Sequence, residues 1–136
     1  MISGEKFIVS GKRKRAVARA VIKPGNGKIL INRQPYELLQ GLRRLMIEEP
    51  LSITREKIGE IKFDIAVVVK GGGQEAQIEA ARLAIAKALV KATNSKELKK
   101  AMSDYDKHLL VADTRRKEPY KPGDSKARSK RQKSYR

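Results

Sequence analysis

The final segment of the chain lacks the residues from which a folded core is made. From Thr114 to Arg136 there is no Val, Ile, Leu, Phe or Met, and ten Lys and Arg residues stand against two carboxylates, a net charge of +8. With no large aliphatic surface to bury, nothing offsets the conformational entropy lost on ordering this segment. We therefore expect residues 114–136 to be an extended basic tail, disordered alone and typical of proteins that bind a polyanion.

Positive charge is concentrated at the two ends of the chain. Residues 1–47 carry a net charge of +9, residues 48–113 carry eleven cations and eleven anions, and the formal total is +17. Enrichment in lysine for solubility alone would not be divided in this way. A surface that neutralises phosphates would be, so the charge distribution favours nucleic acid as the partner.

Length and composition bound the fold and the location. Without the tail, residues 1–113 suffice for one globular domain with a modest two-layer core. The absence of Cys excludes a disulfide framework and a thiolate metal site, and it suits a reducing cytoplasm. We find no signal peptide, and the longest aliphatic run, Ile65–Val69, is far too short to span a bilayer. We predict a cytoplasmic protein with no membrane partner.

Alternating apolar residues predict strands in the first third of the chain. The alternation covers Lys6–Ser10 and Arg15–Lys23, and in the second run the alanines and Ile22 share one face. The turn sequence Pro24–Gly27 is followed by a short strand, Lys28–Asn32. This order predicts that the second and third strands pair as an antiparallel hairpin.

A helix and a strand are predicted next. Pro35 suits the first turn of a helix, in which leucines from Leu38 to Leu45 recur at helical spacing until Pro50. Ile61–Lys70 alternates more clearly than any other segment and is predicted as a strand.

The second half of the domain is predicted to be mainly helical. Gln74 to about Ala92 has an apolar stripe beside a row of alanines, which lets the helix lie close on a sheet. Ser95 is a suitable cap for another helix. Leu109–Val111 is either a final strand or a buried anchor. The fold class is therefore α/β (α+β), a mixed sheet with helices packed on it.

Three glycines, Gly71, Gly72 and Gly73, separate the clearest strand from the clearest helix. Gly71, Gly73 and Ala76 fit a dinucleotide-binding spacing, but such a site needs a second parallel strand after the helix, and another helical segment follows instead. The favoured interpretation is a tight structural turn with room for a nucleic-acid phosphate at the helix N-terminus. A small nucleotide-binding enzyme using Gly71–Gly73 stays as the alternative.

Consecutive cations mark a second candidate site. Lys12–Arg15 and the nearby Arg19 have no carboxylate among them, and their mutual repulsion is tolerable where phosphates lie against them. The candidate RNA-binding residues are Lys12, Arg13, Lys14, Arg15, Arg19, Arg43, Arg44, Gly71, Gly72, Gly73, Arg115, Arg116, Lys117, Lys121, Lys126, Arg128, Lys130 and Arg131.

No catalytic constellation is recognisable. His108 is the single histidine, near Asp104 and Asp106, and it has no Cys or second His with which to bind a metal. We predict no enzymatic activity, no cofactor, no metal and no small-molecule substrate. A membrane-surface binder is disfavoured because the tail lacks the Trp, Phe or Leu that interfacial anchoring requires.

Three separated motifs carry a resemblance that covers essentially the whole chain. They are Gly11–Ala20, the segment from Gly71 to Leu89 with its glycines and regularly spaced alanines, and the ending Arg131–Arg136. In this order they resemble the family of small-subunit ribosomal protein nine, and the ending is similar to its archaeal and eukaryotic form.

The resemblance implies a structural, non-enzymatic protein in the head of the small ribosomal subunit, with neighbouring ribosomal proteins and ribosomal RNA as partners. It implies a two-layer sandwich with a left-handed βαβ crossover. It also implies that the tail extends toward transfer RNA at the peptidyl site, with Lys133, Tyr135 and Arg136 nearest to it.

Overall fold

Five strands and three α-helices form the part of the chain that the structure, a computed structural model, describes: residues 6–120 and Tyr135. In chain order they are β1 (Phe7–Arg13), β2 (Ala16–Pro24), β3 (Ile29–Ile31), β4 (Gln34–Pro35), α1 (Leu42–Ile58), β5 (Phe63–Lys70), α2 (Gln74–Thr93) and α3 (Lys96–Tyr105). Short 3-10 helices lie at Tyr36–Leu38 and Lys107–Leu109. The predicted mixed α/β fold is confirmed.

The strands form one mixed sheet in the order β1-β2-β5-β3-β4. All neighbouring strands are antiparallel except β3 and β5, which are parallel and are connected through α1. Strand β5 pairs with β2 over eight residues and with β3 on its other side, so it is the central strand although it is the last in sequence. A left-handed sense for the β3–α1–β5 crossover stays a prediction.

The predicted hairpin between the second and third strands is wrong. β2 pairs with β1 and β5, and β3 lies on the far side of β5. The carboxylate of Asp64, in β5, accepts hydrogen bonds from the backbone N–H groups of Asn26 and Lys28, at 2.9 and 3.0 Å. The turn therefore bends around the start of β5, because this distant strand supplies the hydrogen-bond partners of the turn.

The first long helix differs from its predicted range. Only a 3-10 turn follows Pro35, α1 begins after Gly41, and the helix continues through Pro50 to Ile58. Pro50 is buried, and the hydroxyl of Thr54 donates to its carbonyl at 2.7 Å. Burial outweighs the hydrogen bond that proline removes from the helix interior. The predicted leucine stripe is largely exposed, whereas Ile47 and Leu51 are buried.

Helix α2 packs directly on β1, β2 and β5, as its row of alanines predicted. Ala80, Ala84 and Ala88 are fully buried. A side chain at Gly11 in β1 would place its Cβ 2.4 Å from the carbonyl oxygen of Ala80, so helix and strand are in backbone contact there. Small residues on both elements permit this approach.

The rest of the helical layer lies against α2. Helix α1 packs on α2 and α3, and the predicted cap is confirmed, since the hydroxyl of Ser95 accepts from the N–H of Leu98 at 3.3 Å. Leu109 is a buried anchor and no strand forms at Leu109–Val111. Residues 112–120 have no helix or strand, and the division at residue 114 stays a prediction. None of the described helices is long and apolar enough to cross a membrane.

Candidate nucleic-acid interface

The hairpin between β1 and β2 exposes two cations at its tip. Arg13 and Ala16 are the last paired residues, so Lys14 and Arg15 form a two-residue loop. Lys14 has a φ of 52°, in the left-handed region that such loops usually fill with Gly, Asn or Asp. A side chain in this conformation costs about 1–2 kcal/mol, so a lysine there has no conformational advantage. What lysine offers here, and Gly, Asn and Asp do not, is a positive charge.

The glycine turn lies against this tip. Gly71 has a φ of 78°, and its Cβ would lie 2.7 Å from the carbonyl oxygen of Arg15. Gly72 has a φ of 66°, and its Cβ would lie 3.0 Å from the backbone nitrogen of Ala16. The prediction of a tight structural turn is confirmed, because both the backbone angles and the closeness of the hairpin require glycine.

Gly73 is the N-cap of α2 and differs from its two neighbours. Its φ is −86°, and nothing lies within 4 Å of the Cβ position. Glycine offers no side-chain oxygen to the first N–H groups of the helix, and no side-chain cap is present. The N-terminal end of α2 therefore presents backbone donors and a partial positive charge to an anion.

The start of the tail is held beside the hairpin by Asp113. Its carboxylate accepts from the Arg115 guanidinium at 2.8 Å and from the Arg115 backbone N–H at 3.0 Å, and it lies 3.5 Å from the Arg13 guanidinium. These hydrogen bonds, chiefly those of the Arg115 side chain, hold the pKa of Asp113 well below its usual range. The tail thus leaves the domain in a defined direction.

An open groove of about 730 Å³ lies between the hairpin tip, the glycine turn and Arg115–Lys117, the root of the tail. We call it the basic groove. It is lined by Arg13, Lys14, Arg15, Gly72, Gly73, Ala76, Arg115, Arg116 and Lys117. Six of these residues are cations, and no carboxylate belongs to the described lining. The groove brings together three sequence segments that were predicted separately.

Arg13 has a different role from the other cations of the groove. Its side chain is 12% exposed and forms ion pairs with Glu79 of α2 and with Asp113. Its guanidinium also donates to the carbonyl of Arg115 at 3.4 Å. By contrast, no ion pair within residues 6–120 involves Lys14, Arg15, Arg116 or Lys117. Sequence reasoning did not predict this division, because Glu79 lies 66 positions from Arg13.

Several predicted RNA-binding residues lie outside the basic groove. Arg43 pairs with Glu75 at 2.7 Å, and Arg44 pairs with Glu48 at 2.9 Å, which raises the pKa of Arg44. Arg19 is exposed in the middle of β2, and the exposed Lys12 lies near the end of β1. RNA binding by these four residues stays a prediction.

The predicted tail residues fall mostly outside the described part of the chain. These are Lys121, Lys126, Arg128, Lys130, Arg131, Lys133 and Arg136. Tyr135 is described and is 89% exposed. Nearer the domain, the Lys117 ammonium donates to the Tyr120 hydroxyl at 2.7 Å and lies 4.3 Å from the centre of its ring.

The described residues contain no arrangement that suggests metal or nucleophilic chemistry. Residues 6–120 and Tyr135 include no group of three His, Asp or Glu residues able to hold a metal ion. The His108 ring lies 3.4 Å from the carbonyl of Val111, and the His108 N–H donates to Asp106. These are local contacts of a 3-10 turn.

Comparison with known proteins agrees with this geometry. The family model described as Ribosomal protein S9/S16 matches residues 11–136. Small ribosomal subunit protein uS9 of Desulfurococcus amylolyticus is 48% identical over 132 residues, 95% of this chain and 91% of the relative. The protein of the same name from Methanococcus maripaludis is 46% identical over 129 residues, 93% of this chain and 95% of the relative. The chain belongs to the ribosomal protein S9/S16 family, and it is a structural ribosomal protein, not an enzyme.

Proposed function

We propose that this protein is built into the small ribosomal subunit in the cytoplasm and that its basic groove binds the backbone of ribosomal RNA. One observation carries the proposal: four cations without an ion pair in residues 6–120 surround an uncapped helix N-terminus, with no carboxylate in the described lining. Backbone N–H groups and guanidinium groups are the donors that bind phosphate.

The residues that line the groove favour contact with the RNA backbone over recognition of specific bases. Its lining offers cations and main-chain donors, which position a nucleic acid but do not read its sequence. Within the lining there is no aromatic side chain on which a base could stack. Recognition therefore depends on the path of the RNA backbone past the domain.

The tail extends this interface beyond the domain. The resemblance to the family suggests that its tip lies near transfer RNA at the peptidyl site, and length permits it, because an extended chain of this size reaches on the order of 70 Å. In this proposal the root, held by Asp113, fixes where the tail starts, and Lys133, Tyr135 and Arg136 lie at its far end.

A nucleotide-binding enzyme has no support in the fold. After α2 the described chain continues into α3 and a 3-10 turn, so the second parallel strand of a dinucleotide site does not follow. The glycines meet the hairpin backbone instead. Membership of a structural ribosomal family gives the same answer.

The groove is tested by reversing its charge with a matched control. Lys14→Glu/Arg15→Glu reverses two groove cations, and Lys99→Glu/Lys100→Glu makes the same change in net charge on the exposed side of α3. We expect the groove variant to bind small-subunit ribosomal RNA at least about tenfold more weakly than the control, measured by filter binding. Equal losses would show that only net charge matters and would contradict a groove.

A further inference from the structure

One face of the sheet is covered by α2, and the other is open. Alternation places Ala18, Ala20 and Ile22 of β2 and Ile65 and Val67 of β5 in the core. The residues between them point to the opposite side. The contacts of α2 with β1, β2 and β5 are on the covered side.

An aliphatic row crosses the open face on all five strands. The pairing register aligns Ile8 with Val21, Val21 with Ala66, Ala66 with Leu30, and Leu30 with Pro35. Ile8 is 63% exposed, and Val68, in the adjacent row, is 49% exposed. Scattered exposed aliphatic residues are normal, but a row continuous over five strands is a surface.

Cations stand beside this row. Arg19 and Lys23 flank Val21 on β2, and Lys70 lies at the end of β5 on the same face. All three are exposed, and none forms an ion pair within residues 6–120. Asp64, the carboxylate paired in register with Lys23, accepts hydrogen bonds from turn amides instead.

We propose that this open face is the docking surface for a neighbouring protein whose contact segment is apolar at its centre and carries carboxylates at its edge. An apolar centre with a polar rim is the pattern of protein–protein interfaces. Protein–RNA surfaces are more polar, and the aliphatic row has neither a donor for phosphate nor an aromatic ring for a base. The inference rests on the proposed place of the chain in the small subunit.

The two proposals assign different partners to different surfaces, and the open face includes Arg19, which was predicted from the sequence to bind RNA. The basic groove lies at the hairpin tip and takes RNA, whereas the aliphatic row lies in the middle of the sheet and takes protein. A variant of one surface should therefore leave the partner of the other surface bound.

The first test replaces Ile8 and Val68 with serine. Both side chains are exposed in the free protein, so the melting temperature should stay unchanged and affinity for small-subunit ribosomal RNA should stay within about twofold. Retention on purified small subunits through a salt wash should fall by about tenfold, because the aliphatic contact with the neighbour is lost. Ile58→Ser, at an exposed residue on α1, is the matched control and should be retained.

The second test identifies the occupant. A benzophenone amino acid at position 8, activated by light in assembled subunits, should cross-link to a protein segment with apolar residues next to Asp or Glu. A cross-link to RNA, or a loss of RNA affinity in the serine variant, would overturn the proposal in favour of a second RNA surface. Unchanged retention without a cross-link would equally overturn it, since the face would then be solvated. Failure of Lys14→Glu/Arg15→Glu to weaken RNA binding would instead refute the groove alone.

Discussion

Two pairs of neighbouring cations in this chain carry the same charge and have different surroundings. Lys14 and Arg15 stand at the hairpin tip without an ion pair in residues 6–120, beside cations of the tail root. Arg43 and Arg44 stand at the start of α1, and each pairs with a carboxylate, Glu75 or Glu48. A phosphate is attracted most strongly where positive charge is in excess. We therefore expect Lys14 and Arg15 to contribute more to RNA binding than Arg43 and Arg44.

The largest effect is expected from a substitution in the glycine turn that packs against the hairpin tip. Gly72→Val places a β-branched residue at a φ of 66° against the backbone of Ala16, and should lower the free energy of unfolding by about 2 kcal/mol or more. Thermal unfolding of the free protein measures this.

Gly73→Ala is the control for that experiment, because its φ of −86° is ordinary and its Cβ meets open space. Its stability should change by well under about 1 kcal/mol. A variant at Gly72 with normal stability and weakened RNA binding would show that the glycine serves the phosphate contact and not the fold.

The second effect compares the two cation pairs directly. Lys14→Ala/Arg15→Ala should lower the slope of log affinity against log salt concentration by about two units or slightly less, as expected for two lost phosphate contacts. Arg43→Ala/Arg44→Ala should leave the slope nearly unchanged. Titrating small-subunit ribosomal RNA at several salt concentrations measures both slopes. Equal changes would mean that Arg43 and Arg44 exchange their carboxylates for phosphates on binding.

A smaller effect concerns the clamp at the tail root. Asp113→Asn should lower the melting temperature at neutral pH and speed the cleavage by trypsin after the exposed Arg115 and Arg116, because Arg13 and Arg115 lose their shared carboxylate. Timed digestion followed by mass spectrometry measures the second outcome. Unchanged cleavage would mean that Asp113 does not hold the root.

The same clamp predicts a pH dependence with a definite sign. The pKa of Asp113 is depressed in the folded state, so its stabilising contribution is complete above the unfolded pKa of about 3.9 and is lost as pH falls through the folded pKa. The difference in melting temperature between the wild type and Asp113→Asn should therefore be constant from neutral pH to about pH 5 and shrink in stronger acid. A difference that disappears near neutral pH would contradict the assignment.

The smallest effect on assembly is expected at the far end of the tail. Deleting residues 133–136 should leave the protein in the small subunit, because the groove keeps its contacts, but should weaken transfer RNA at the peptidyl site. Each lost phosphate contact should reduce the salt slope by about one unit or less. Transfer RNA is titrated against subunits carrying full-length or truncated protein. If subunit occupancy falls while affinity per assembled subunit is unchanged, the tip serves assembly.

Periodicity predicted the two elements whose apolar residues recur most regularly in the sequence, α2 and β5. Helix α2 was expected from Gln74 to about Ala92 and spans Gln74–Thr93. Strand β5 was expected from Ile61 to Lys70 and spans Phe63–Lys70. In β5 every second residue from Ile65 to Val69 is buried, so the sequence repeats the period of the strand. Helix α2 is buried against both the sheet and α1, and its small and aliphatic residues fit both contacts.

Predictions failed where distant residues decide the outcome. The turn sequence from Pro24 to Gly27 correctly indicated a change of direction, but turn residues do not specify which strand pairs next, and Asp64 of β5 attracts the turn amides. Pro50 ended the predicted helix because its missing N–H costs a hydrogen bond. In the folded protein Pro50 is buried beside Leu51 in the core, and α1 continues.

The sequence by itself determined the kind of partner: charge is additive along a chain, and the uneven distribution of +17 already indicated a polyanion. Only the tertiary structure decided which cations are available to that partner. Arg13 and Lys14 are neighbours in sequence, yet Arg13 pairs with Glu79 and Asp113 while Lys14 forms no ion pair in residues 6–120. The physical reason is that neutralisation acts over a few ångströms in space, and the residues that lie so close are brought together by folding.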